Sequence, residues 1–269
     1  MIRTPLPPQQ SSAPAEIHFE DVSFFYPESD RLVFSRLSLE LPKGVVTLVG
    51  QNGTGKSTLL LLAAGILLPI EGRVTIQGVD TRSLREERER QRYVSSVYQN
   101  MEFETEEPIG ALLEYVQAHG YHERQDPALR ASLVEVCELQ KLLGKRTQEL
   151  SKGELQRAIV AFSLLYGSRI LMMDEPIFAL EEPQKHRIMG FLLNYVRSRG
   201  LSLYYSVHEL DISEKYSDWL LLFHRARPPQ LGPTRELFNR ENIENAYEVP
   251  FSLLRTKESL YRKTLLERA

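Results

Sequence analysis

The sequence predicts an α/β fold. It has a mostly parallel sheet flanked by helices, an antiparallel β subdomain, and an inserted helical subdomain. Three observations predict it. Strand-like apolar runs alternate with helix-length segments along most of the 269 residues, as parallel strands joined by crossover helices require. The first two strand-like stretches instead alternate apolar with polar residues, which suits antiparallel strands with one solvated face. Between residues 108 and 140 the period becomes helical.

In chain order, residues 1–15 are rich in Pro, Ser and Gln and lack an apolar h-region. They read as a disordered leader and not as a secretory signal. EIHFEDVSFFY (16–26) and LSLELP (37–42) are the antiparallel strands, and GVVTLVG (44–50) is a short apolar strand running into a glycine loop. The leucine-rich segment 56–68 is apolar nearly all round, so it should be a buried helix. GRVTIQG (72–78) reads as a strand, REERERQR (85–92) as a charged surface helix and YVSSVYQ (93–99) as a strand.

GALLEYVQAHG (110–120) and PALRASLVEVCELQ (127–140) are helical. Alternation resumes with helix 153–167, strand 169–176, helix 183–200, and strands 201–209 and 218–224. A Pro-rich turn, two short helical stretches and a charged helix over 257–267 close the chain. This divides it into a core with its β subdomain (16–98 and 155–247), a helical subdomain (99–154) and a C-terminal extension (248–269).

Bulk properties exclude several classes. With 33 basic against 36 acidic residues and a net charge of -3, there is no electrostatic footprint for nucleic acid. Cys137 is the sole cysteine, so no intrachain disulfide can form and a reducing compartment suits the chain. The longest apolar run, 59–70, is broken by Gly65 and Pro69. A bilayer span needs about 18 or more such residues, so the chain is expected to be soluble and to cross no membrane by itself.

GQNGTGKST, from Gly50 to Thr58, is the phosphate-loop pattern. Gly50, Gly53 and Gly55 let backbone N–H groups turn inward around anionic oxygens, and the following helix adds its positive dipole end. Asn52, Thr54 and Thr58 complete the cradle. Lys56 would reach the β- and γ-phosphates and Ser57 would ligate Mg²⁺. Downstream, ILMMDEP puts Asp174 and Glu175 at the end of a buried strand. Asp174 would bind Mg²⁺ through water, and Glu175 is the natural group to polarise an attacking water.

These motifs occur together with Gln99 at a strand end, LSKGELQR (150–157) and His208 after YYSV. In that order the chain resembles ATP-binding-cassette (ABC) ATPases over roughly 16–250. The discriminating element is LSKGE, since other ATPases share the phosphate loop and the acidic strand end. The resemblance implies an ABC-type P-loop core holding Mg-ATP in a site completed across a head-to-tail pair of cassettes. It also implies that Ser151 and Gly153 contact the γ-phosphate of the facing subunit. By the same resemblance Gln99 touches Mg²⁺ and the water while linking the helical insert to the core, and His208 senses the γ-phosphate. Tyr26, before Pro27, matches the aromatic that stacks on adenine, with Phe24 and Phe25 as its neighbours.

The family's signature reads Leu-Ser-Gly-Gly-Gln, so Lys152 and Glu154 are departures; Glu181 stands where the family usually has aspartate. A lysine beside a helix N-terminus opposes the macrodipole, at a cost of about 0.3–1 kcal/mol. None of the three removes a magnesium ligand or the base, so an active ATPase is expected, with the effect of the departures on its turnover left open.

The resemblance implies the energising subunit of a membrane transporter. Its location would be cytoplasmic, peripheral on the inner face of the membrane through separate permease subunits. The string GPTRELFNRENIENAYEVPF (232–251) is similar to the tail of cassettes that power uptake of iron chelates, haem, corrinoids and metal ions. An importer with an extracytoplasmic solute-binding protein is therefore expected. The alternatives are a soluble cassette ATPase acting on a macromolecular complex and a nucleotide-gated scaffold. The solute, and whether the partner cassette is a second copy or a homologue, are left open.

Overall fold

The computed structural model describes residues 15–29, 31–98, 101, 104–122 and 126–254. Gln99, the leader before Ala15 and the helix expected over 257–267 lie outside them.

Two sheets form the scaffold. Strands β1 (Ala15–Phe24) and β2 (Phe34–Pro42) pair antiparallel, as expected, although Ala15 belongs to β1, where it pairs with Pro42, and not to the leader. After β3 (Val45–Val49) and α1 (Lys56–Ala63), β4 (Glu71–Ile76) and the two-residue β5 (Val79–Asp80) complete a four-stranded sheet of order β2-β1-β4-β5. Helix α1 stops at Ala63, short of the expected residue 68. The chain turns there through Gly65, whose φ is 67°.

The chain continues through α2 (Glu87–Tyr93), β6 (Val94–Val97), α3 (Ile109–His119), α4 (Pro127–Val136), α5 (Lys152–Leu165) and β7 (Ile170–Asp174). Then come α6 (Glu182–Arg199), β8 (Ser202–Ser206), α7 (Leu210–Lys215), β9 (Trp219–Leu222), β10 (Gln230–Pro233), α8 (Thr234–Leu237) and α9 (Arg240–Tyr247). The second sheet has the order β10-β9-β3-β8-β7-β6. Its strands are parallel except β10, which pairs antiparallel with β9. The sequence reading missed α7 and β10. Both are short, and β10 carries Gly232 and Pro233, which argue against a strand unless it lies at an edge.

The central strands are buried along their whole length, as parallel strands covered on both faces must be. Their side chains divide by period two. Leu171, Met173, Leu203 and Tyr205 enter the core under α3–α6. Ile170, Met172 and Tyr204 enter the core shared with α1 and the antiparallel sheet. Tyr204 stitches the sheets together, donating to Pro42 O at 2.9 Å and Glu16 Oε2 at 3.1 Å. Parallel strands share a direction, so the segments that follow β3, β7 and β8 emerge at one edge, where ligands bind in open α/β sheets.

Candidate functional site

The phosphate-loop pattern follows β3 directly. Gly50 has φ 147°, and a Cβ there would lie 2.6 Å from Phe223 O; only glycine fits. A Cβ on Gly55 (φ 101°) would lie 2.9 Å from Cζ of Phe34. Asn52 and Gly53 form the exposed crest, and Thr54 Oγ1 donates to Gln51 O at 2.8 Å. Lys56 is buried, and its Nζ donates to Gly50 O and Gln51 O, both at 2.8 Å. Burial holds its pKa below the usual lysine value, while Asp174 and Glu175 pull it back up. The ammonium is thus folded onto the loop's own carbonyls, beside two carboxylates.

Tyr26 and Thr58 share a hydrogen bond of 3.1 Å between their hydroxyls, which fixes the tyrosine beside the first turn of α1. Its ring meets Phe24 edge-on, with centroids 5.1 Å apart. Phe24 is buried and Phe25 points outward, so Tyr26 alone of the three aromatics bonds to the loop helix.

Asp174 ends β7 and is nearly buried. Ser57 and Asp174 line one small cavity of about 10 Å³, with Met172 and Tyr98, room for about a single water. A hydroxyl and a carboxylate are hard oxygen donors, and this pair fits Mg²⁺. Glu175 follows with φ 52°, a left-handed conformation uncommon outside glycine. Glu175 Oε1 lies 2.7 Å from His208 Nε2. A carboxylate only accepts, so Nε2 carries the proton of that bond.

Ser206, which the sequence reading did not single out, organises this pair. It is the last residue of β8 and sits in register with Asp174. Fully buried, its Oγ donates to Asp174 Oδ1 and accepts from the Glu175 backbone N–H at 3.0 Å. The register of two strands far apart in sequence creates this contact, so no local motif announces it. A second unannounced support is Lys185 of α6. It is buried, and its Nζ reaches Glu209, next to His208, at 2.5 Å and Glu182 at 3.2 Å.

The LSKGE stretch opens α5. Ser151 is its N-cap: the Ser151 Oγ accepts from Glu154 N at 3.3 Å and Glu154 Oε2 accepts from Ser151 N at 2.8 Å. The backbone N–H of Ser151 holds the Glu154 carboxyl below the usual range. Glu154 thus has a local task, closing a capping box. Lys152 is exposed. Gly153 packs on the loop after Glu175, where a Cβ would come 2.7 Å from Ala179 O. Glu181 caps α6, its N–H donating to Gln184 Oε1 at 3.4 Å.

The structure therefore brings Lys56, Ser57, Asp174, Glu175 and His208 together at one sheet edge, with Tyr26 beside α1. Gly153, in the first turn of α5, packs against the loop that follows Glu175.

Comparison with known proteins agrees with this geometry. Residues 34–178 match the ABC transporter family. A putative ABC transporter ATP-binding protein of Archaeoglobus fulgidus is 33% identical over 237 residues, 86% of this chain and 96% of that protein. The molybdenum import ATP-binding protein ModC of Shewanella sp. (strain MR-4) is 28% identical over 220 residues, 78% of this chain and 59% of ModC. A putative metal-chelate type ABC transporter, solved in an inward-facing conformation, superposes with a TM-score of 0.67 at 20% identity. That match covers 88% of this chain and 90% of the other and is a likeness of fold. The family match spans more than half of the chain and takes in both the Gly50–Thr58 loop and the Asp174–Glu175 pair. The chain therefore belongs to the ABC transporter family, as an ATP-binding subunit that hydrolyses ATP.

Proposed function

We propose that this subunit energises uptake of a metal ion or metal chelate. It would work as a pair of cassettes bound to a separate membrane permease, supplied by an extracytoplasmic solute-binding protein. In this reading the chain sits on the cytoplasmic face of the membrane. Among the described residues no helix is long and apolar enough to cross a bilayer. The import assignment is supported by the likeness to a molybdenum import subunit.

At the site, the Gly50–Thr58 loop and Lys56 bind the ATP phosphates, and Tyr26 stacks on the adenine. Ser57 and Asp174, with Gln99, hold Mg²⁺, which supplies charge neutralisation at the phosphates. Glu175 accepts the proton of the attacking water at its carboxylate. His208 orients that carboxylate through Oε1 and responds to the γ-phosphate. Ser151 and Gly153 complete the facing subunit's site.

The observation that carries the coupling to a permease is a groove of about 760 Å³ between α2, β6, α3 and α5. Leu112, Val116, Ile159 and Phe162 line it, and exposed Ile66 and Tyr98 stand at its edge. It is wide enough and apolar enough for a helix of another protein to lay its face there.

The test is permease association of the Val116→Glu variant, measured by co-purification of integral membrane proteins with the tagged cassette from detergent-solubilised membranes. Association should be lost while ATP hydrolysis by the cassette is kept. Unchanged association would refute the groove as the docking site, and absence of any membrane protein partner for the wild type would refute the transport reading.

A further inference from the structure

Three helices end alike, on a glycine in the left-handed region: Gly65 after α1 (φ 67°), Gly167 after α5 (φ 74°) and Gly200 after α6 (φ 64°). At α6, Gly200 N–H bonds to Arg197 O and Leu201 N–H to Val196 O. Helix α4 ends in the same motif, with Glu138 N–H on Glu135 O at 3.1 Å and Leu139 N–H on Val134 O at 2.8 Å. Its left-handed residue is Glu138, at φ 52°. Glycine is the residue that takes this position without strain, and a strained side chain persists only where its surroundings over-determine it.

The surroundings of Glu138 do so. Oε2 accepts from Gln184 Nε2 at 2.7 Å and from Arg157 Nη1 at 3.0 Å, and Oε1 accepts from Arg187 Nη1 at 2.6 Å. Arg157 is 12% exposed and also donates to Cys137 O at 3.0 Å. Burial raises the Glu138 pKa, but the bonds from Gln184 and Arg187 outweigh it and hold the carboxyl below its usual range. One carboxylate therefore joins the end of α4, the helix that begins at Ser151–Gly153, and the first turns of α6. The loop bearing Glu175 runs between the last two, touching α5 where Ala179 meets Gly153.

We propose that Glu138 is a positioning residue for ATP hydrolysis. Its carboxylate locks α4 and the N-terminal half of α5 to the start of α6. It thereby sets where Ser151 and Gly153 stand relative to the loop that carries Glu175. The inference rests on the site roles given above, and it holds whatever solute is carried.

The test is Glu138→Gly in the full chain, which keeps the left-handed turn, relieves its strain and removes the carboxylate. A purely structural role predicts a melting temperature that falls with unchanged turnover, or no effect. Positioning predicts a kcat loss out of proportion to any fall in melting temperature, with Mg-ATP binding within about twofold, since the Lys56 loop is untouched. It also predicts kcat reduced about tenfold, the scale of one lost charge-assisted hydrogen bond. Amides 151–155 and 177–180 should exchange faster.

Arg187→Ala keeps Glu138, its turn and the Glu181–Gln184 cap of α6 but cuts the ion pair to α6, and should lower kcat and speed the same exchange. Wild-type kcat with wild-type exchange in both variants overturns the proposal, as does a kcat loss that tracks weakened Mg-ATP binding. Glu175→Gln separates the two levels. If it turns over like wild type the site roles fail, while the exchange at 177–180 in the Glu138 variants still decides the tie.

Discussion

Replacing Ser206 by alanine removes one oxygen from a fully buried position at the end of β8. That oxygen serves two groups, Asp174 Oδ1 as donor and the Glu175 N–H as acceptor. Strand β8 lies between β3 and β7, so water has no easy route to replace it. A hydrogen bond to a charged group contributes about 1.5–3 kcal/mol, and an orphaned buried donor costs about 1–3 kcal/mol. The variant should thus lose about 3–5 kcal/mol, with almost no packing term because the volume change is small. At about 2–4 °C per kcal/mol for a chain of this size, the melting temperature should fall by roughly 6–20 °C.

Asp174→Ala with Ser206→Ala should destabilise by less than the two single changes added, because removing both partners leaves fewer groups unsatisfied. Turnover should fall as well, since the left-handed Glu175 loses the anchor of its backbone. Thermal and urea unfolding of the three variants measure this. A shift of less than about 2 °C for Ser206→Ala would show that the triad contributes little beyond what water supplies, and would refute the reasoning.

Three further outcomes are expected. Lys56→Ala should abolish the rise in melting temperature that Mg-ATP gives the wild type, since that rise depends on affinity of the folded state for the ligand; an undiminished shift would put the phosphates elsewhere. Glu175→Gln should keep Mg-ATP binding and lose about 10²–10⁴-fold in turnover, measured as phosphate release. The third concerns pH. The carboxyls of Glu138 and Glu154 are held below their usual range, so each contributes stability present above the unfolded value of about 4.3 and lost as pH falls through the lower folded value. Denaturant midpoints should be flat with respect to these groups above about pH 5 and decline below it, less steeply in Glu138→Gln than in the wild type.

The sequence alone determined the class of fold and the form of the loop. Gly50 and Gly55 stand where a Cβ would strike Phe223 and Phe34. Lysine and serine follow at the start of a helix, and that local pattern is enough to mark a phosphate-loop motif. The continuous apolar runs of β3 and β7 likewise announced buried parallel strands, because burial on both faces leaves no alternation to mistake. Short elements were illegible. Helix α7 has one and a half turns, and β10 is defined by pairing with β9 and not by its own Gln-Leu-Gly-Pro.

Only the tertiary structure decided which groups steady the site. Ser206 reaches Asp174 because β7 and β8 pair in one register. Lys185 reaches Glu209 because α6 packs beside the segment after His208. Glu138 meets Arg157, Gln184 and Arg187 only once three helices have converged. A motif is visible in sequence when the residues that act together are neighbours along the chain. Hydrogen bonds between residues 19 to 49 positions apart depend on packing angles and strand register, and those follow from the summed burial of the whole core, not from any local stretch.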